Sequence, residues 1–194
     1  MVYVLSYALM IAAGAKWAAL AALLSSQHPQ LANSGEFNAL CQQVIREGRP
    51  LLETGASAPT ARFSDLLAKT APPELNKRIP TRWGGVVVTD YNTSSKAYKK
   101  YLVVRSGEYL SFEKHNRKTE TLLVEEGIGV LLFRDKASGK IAVRGFEKGN
   151  SITLRPGDEH CLIALSNLIV HEQGVEPLGM DQDLVFIFNP TAAN

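Results

Sequence analysis

Four side chains in this sequence could together hold a cation: Glu113, His115, Glu120 and His160. The first three fall in "GEYLSFEKHNRKTETLLVEEG", Gly107 to Gly127, and the fourth in "PGDEH". In an extended strand, residues two apart share a face. Ser111, Glu113 and His115 therefore point one way from "EYLSFEKH", and Leu110 and Phe112 point outward against a second layer. On the following strand Glu120, Leu122 and Val124 share a face. Pairing of the two strands across "NRKT" would bring Glu120 close to His115. The "PGDEH" turn delivers His160 to the start of a strand on which Leu162 and Ala164 also face inward. Carboxylates and imidazoles buried together are costly unless their charge is compensated. A divalent cation would compensate it. Nitrogen and oxygen donors of this kind suit Zn(II), Mn(II), Fe(II), Ni(II) or Co(II) and discriminate poorly among them. An open position would remain for a substrate oxygen. A site whose polar groups are satisfied by hydrogen bonds and water is the alternative.

These residues need a scaffold of short strands, and the sequence after Pro80 supplies it. Runs such as "GGVVVTDY", "KKYLVVRSG", "GVLLFRD", "KIAVRGF", "SITLRPG", "NLIVHEQG" and "LVFIF" alternate with Gly, Asn, Asp and Ser. "DKASGK" has the composition of a hairpin loop. Many short strands at close spacing predict an antiparallel barrel or jelly roll. The chain up to Arg78 reads as helical. In "NSGEFNALCQQVIREG", Asn33 is an N-cap, Glu36 completes a capping box and Gly48 stops the helix. A short helix fits "TARFSDLLAKT", and "APPELNKRIP" is a breaker-rich linker. The expectation is a mostly β chain with some α: a helical N-terminal region over 1–78 and a β-barrel domain over 79–194.

Composition narrows the function. The 194 residues are 45% apolar and 21% charged, with a net charge of +2. That balance argues against a nucleic-acid partner. Cys41 and Cys161 are far apart and form no CxxC, so they read as free thiols in a reducing compartment, the cytoplasm. The apolar run "MVYVLSYALMIAAGA" lacks a basic n-region and is followed by Lys16. A buried helix is favoured over a membrane segment or an atypical signal. Met10 is an alternative initiator.

The two polar segments resemble the paired motifs of the cupin family, G-x5-H-x-H-x4-E-x6-G and G-x5-P-x-G-x2-H-x3-N. The first reads here Gly107, Glu113, His115, Glu120, Gly127, with every spacing kept and Glu113 in place of the first histidine. The second reads Gly149, Arg155, Gly157, His160, Ala164, with the proline displaced to Pro156 and the asparagine absent. A narrower likeness, over about Pro80 to Pro190, is to the cupin domain of type II mannose-6-phosphate isomerases. It rests on "RWGG", the two motifs, and "GMDQDLVFI", whose Asp181 and Asp183 fall where that family has an acidic turn. The resemblance implies a jelly-roll barrel, a divalent metal on Glu113, His115, Glu120 and His160, and a homodimer. It further implies a sugar or sugar-phosphate ligand and aldose–ketose isomerase activity. Glu113 would hold the metal, act as a base, or be a solvated carboxylate at the barrel mouth. Arg117, Lys118 and Arg144 are candidates for an anionic substrate, although an exposed charged turn accounts for the first two. His171, on the face of Ile169, reads as structural, and His28 as surface. Trp83 and Tyr91 read as packing residues. A non-catalytic cupin that senses a small ligand and an Fe(II)-dependent dioxygenase are the competing functions.

Overall fold

The computed structural model describes residues 31–52, 58–70, 82–178 and 182–190, with isolated helical positions at 18 and 22. The apolar N-terminal run, His28, the linker and Asp181 lie outside the described residues. No helix among the described residues is long and apolar enough to cross a membrane.

The expected antiparallel jelly roll is what the chain forms. Among the described residues, ten strands follow two helices that have full spans. The helices are α1 (Ser34–Gly48) and α2 (Ala61–Lys69). The strands are β1 (Gly84–Tyr91), β2 (Ala97–Val104), β3 (Phe112–His115), β4 (Thr119–Glu126) and β5 (Ile128–Arg134). β6 (Ile141–Glu147), β7 (Ser151–Leu154), β8 (His160–Ala164), β9 (Leu168–Val175) and β10 (Leu184–Phe188) complete them. They pair into two five-stranded antiparallel sheets, ordered β1-β2-β9-β4-β7 and β10-β3-β8-β5-β6. The inner faces meet in an apolar core that includes Leu122, Val124, Leu131, Leu162 and Val170. This core closes one half of the barrel and leaves the other half for the site.

Each outer face is covered by a helix. Asn33 Oδ1 caps α1 by accepting from the Glu36 N–H at 2.9 Å, and the Glu36 carboxylate reaches back to Ala32 N at 2.9 Å. Phe37, Leu40, Cys41 and Val44 then form one stripe and pack on Cys161 and Ile163 of β8 and on Leu165 just after it. With α1 on one face and the barrel interior on the other, all five residues of β8 are buried. The Cys161 thiol is pushed up by burial and by its contact with Cys41. α2 covers the other sheet through Phe63, which meets Val103 and Ile169. Thr60 caps it, its hydroxyl accepting from Phe63 N and donating to Glu126. Arg62 pairs with Glu125 and Glu126.

Four details differ from expectation. β3 begins only at Phe112, and Tyr109 joins β8 by an isolated bridge to Ile163. The irregular backbone before it breaks the alternation. Leu110 therefore turns inward beside Ser111, and Phe112 faces α1 together with Tyr109. β3 and β4 do not pair; the turn between them passes from one sheet to the other. His115 and Glu120 meet across the barrel instead of along a ladder. Gly48 does not stop α1 by a left-handed turn, since its φ is −81° and a 3-10 turn over Arg49–Leu51 follows. It is small because a Cβ would lie 2.8 Å from Leu165 Cδ1.

The motif glycines Gly107, Gly127, Gly149 and Gly157 all have positive φ. Gly127, at 87°, joins β4 to β5, and a Cβ there would collide with the Asn167 carbonyl oxygen. A left-handed backbone costs a residue with a Cβ about 1–2 kcal/mol, before the collision is counted. Gly127→Ala is therefore expected to lower unfolding free energy by at least about 2 kcal/mol in a urea titration. A loss under half of that would mean the turn adapts freely.

Candidate metal centre

The pocket opens between the two sheets. β3 brings Glu113 and His115, β4 brings Glu120, β8 brings His160, and the 116–118 turn brings Lys118. β2 adds Lys100 and β9 adds Glu172. One wall is apolar and includes Trp83, Leu110, Leu122 and Phe186. The pocket encloses about 80 Å³. At roughly 10–15 Å³ per water position, that admits several waters or a small polar ligand.

Both histidines are held with one nitrogen turned into the pocket. His115 Nδ1 donates to Asp183 Oδ1 at 2.8 Å. Asp183 Oδ2 in turn accepts from Arg117 N at 2.7 Å and Lys118 N at 2.8 Å. Burial alone would raise the Asp183 carboxyl, but these donors hold it below the usual range. His160 Nδ1 donates to the Asp158 carbonyl at 3.1 Å. A carbonyl can only accept, so this bond fixes the tautomer and leaves Nε2 as a lone pair. The same holds for His115 beside an ionised carboxylate. The two Nε2 atoms flank Glu120, at 3.9 Å from Oε2 for His115 and 3.4 Å from Oε1 for His160. Burial drives the Glu120 carboxyl well above the ordinary carboxylate range, with the Lys118 charge opposing it. Burial lowers His160 to about 4, so it is neutral near pH 7.

Lys118 is not an exposed turn residue but is 2% exposed. Its ammonium donates to Glu120 Oε2 at 2.6 Å and Glu172 Oε1 at 2.7 Å, and lies 3.4 Å from both Glu176 Oε1 and His115 Nε2. Lys100 reaches Glu172 at 3.2 Å. Tyr98 Oη donates to Glu172 at 2.6 Å and lays its ring under both ammoniums. Burial and the Glu172 charge raise the Tyr98 hydroxyl.

Glu113, His115, Glu120 and His160 all line one pocket. Glu113 is half-buried and accepts from Ser111 Oγ at 2.8 Å. Trp83 lines the same pocket, whereas Tyr91 does not. Arg117 and Arg144 are exposed and outside the pocket lining, and Lys118 is enclosed by carboxylates, so none of the three is placed to hold an anion in it. His171 packs at a tilt against the Tyr101 ring outside the barrel. Lys100, Glu172, Glu176 and the His115-orienting role of Asp183 were not anticipated. Strand parity marks two of them: Tyr98, Lys100, Leu102 and Val104 share a face, as do Leu168, Val170 and Glu172. Lys118 itself stands two residues before Glu120 on the same parity.

A divalent cation would need these donors to converge on it. As they stand, no group of three His, Cys, Asp or Glu side chains among the described residues closes on one point. The chemistry of the set nevertheless fits. Two imidazoles with their outer nitrogens already engaged, facing one carboxylate, are what such an ion requires of its ligands and their supports.

No protein-family model matches the sequence, and no curated protein matches it. Solved structures do. The capsular polysaccharide assembling protein CapF from Staphylococcus aureus aligns with a TM-score of 0.50 and 19% identity, over 57% of this chain and 32% of that one. The formate complex of Lactobacillus farciminis oxalate decarboxylase aligns at 0.48 with 14% identity, over 62% and 34%. KdgF from Halomonas sp. aligns at 0.40 with 13% identity, over 47% and 77%. The chain spans 25–34% of the length of the first three such structures. At these identities the likeness speaks for the fold alone. With its sheet order and its barrel-mouth cluster, the chain carries the cupin fold.

Proposed function

We propose that this chain is a metal-binding cupin acting on a sugar as an aldose–ketose isomerase. The observation that carries the metal half is the pair of histidines, each fixed through Nδ1 and presenting Nε2 beside Glu120. His115, Glu120 and His160 would hold the ion. It would supply Lewis-acid polarisation of neighbouring substrate oxygens. The isomerase half is supported by the motif resemblance and by what Glu113 offers. Its carboxylate lines the pocket and accepts from the Ser111 hydroxyl, a position from which it can take a proton from a substrate carbon and return it to the next. Trp83 and Phe186 give an apolar wall for the face of a sugar. Lys100 and Lys118 are both engaged by carboxylates, which favours a neutral sugar over a phosphate inside the pocket.

Elemental analysis of the purified protein tests the metal. About one divalent ion per chain is expected, and His115→Ala and His160→Ala are each expected to reduce it at least about tenfold. Full occupancy in both variants would end the assignment. An anaerobic aldose–ketose interconversion assay with added Mn(II), Zn(II) or Co(II) tests the reaction. Turnover only with Fe(II) and oxygen would make the protein an oxygenase instead.

A further inference from the structure

Lys118 stands where a cation is wanted. Its ammonium lies against Glu120 Oε2 and within 3.4 Å of His115 Nε2, two of the three donors assigned to the metal. An ammonium and a divalent ion cannot both occupy that space. We propose that the Lys118 ammonium is a built-in occupant of the cation position, and that a metal ion enters by displacing it toward Glu172 and Glu176. This inference rests on the metal-binding reading of the same site.

The surroundings are arranged for two positions of one charge. The backbone of Lys118 is fixed, because its N–H donates to Asp183. Only the side-chain tip needs to move. Glu172 already accepts from it at 2.7 Å, and Glu176 is 3.4 Å away. The Tyr98 ring lies 5.0 Å below the ammonium and stabilises it by its π face. Gly174 sits opposite both Tyr98 and Glu120 in the ladders, and a Cβ there would lie 2.3 Å from the Thr119 carbonyl oxygen and 3.0 Å from Tyr98 Oη, so its lack of a side chain lets these strands close on the cluster. Lys100 also donates to Glu172, so the second position is shared between two ammoniums and is not empty ground. Displacement therefore has a cost, and metal affinity carries it.

The test compares metal binding in the wild-type chain and in Lys118→Met, by titration of Zn(II) or Mn(II) against a chelator of known affinity. The variant is expected to bind about tenfold tighter or more. Without metal it is expected to melt at lower temperature than the wild type, and metal is expected to raise its melting temperature by more. If Lys118→Met alone does not fold, Lys118→Met with Glu172→Gln keeps the buried charge balanced and is expected to show the same tightening. Equal affinity in wild type and folded variant would overturn the inference and leave the metal site standing. No binding by either would overturn both. Binding by the variant only would make Lys118 a permanent occupant that metal does not displace, and would overturn both the displacement and the wild-type metal reading.

Discussion

Phe37→Ala is expected to lower the unfolding free energy by about 3–5 kcal/mol, the range for truncating a fully buried aromatic ring. Phe37 is completely buried. Its ring lies 5.9 Å from each of Tyr109, Phe112 and Phe188, edge-on to the first and stacked on the last. Those three residues belong to the chain before β3, to β3 and to β10. Phe37 therefore holds α1 against the strands that carry Glu113 and His115. Total stability of a domain this size is about 5–15 kcal/mol, so the loss is a large fraction of it. Phe37→Leu, which keeps most of the volume, is expected to lose less. Urea titration of both variants, with the slope compared, checks the argument. A Phe37→Ala loss below about 1 kcal/mol would show that α1 is not part of the cooperative core.

The same contacts explain what could be read from the sequence. The cap of α1 was legible because Asn33 and Glu36 act locally, within one turn. So were β4 and β8, since their inward faces follow strict alternation. Alternation failed between Gly107 and Ser111. There the chain leaves the sheet, makes a single bridge through Tyr109, and brings Leu110 to the inside. Which strands pair was not legible. His115 and Glu120 are five residues apart, yet they belong to different sheets, and only the closed barrel brings them together. Lys118 was hidden for a further reason. A lysine in a short polar turn is ordinarily solvated, and its burial depends on Glu172 and Glu176, more than 50 residues away, to balance its charge. Parity with Glu120 was the signal available. Asp183 was visible as an acid at the end of the chain, but its bond to His115 Nδ1 depends on β10 pairing with β3.

Glu113→Gln decides the residue on which the reading of this site turns. The side chain stands in register with His160 across the β3–β8 ladder and opposite Phe186 on β10. It lies inside the pocket and accepts from Ser111, while the convergent pair of imidazole nitrogens is aimed at Glu120. On the proposed reading, Glu113 carries the proton and the ion is left to the other three. A glutamine keeps the shape and the bond from Ser111 but cannot take up a proton. The expected result is turnover lowered by about 10²–10⁴-fold, the usual contribution of a positioned general base. Metal content and melting temperature are expected to match the wild type. Elemental analysis beside the isomerisation assay separates the roles. Loss of metal in Glu113→Gln would make the carboxylate a fourth ligand. Unchanged turnover and unchanged metal would leave it a solvated group at the barrel mouth, and the proton would then have to be carried by another residue of the pocket.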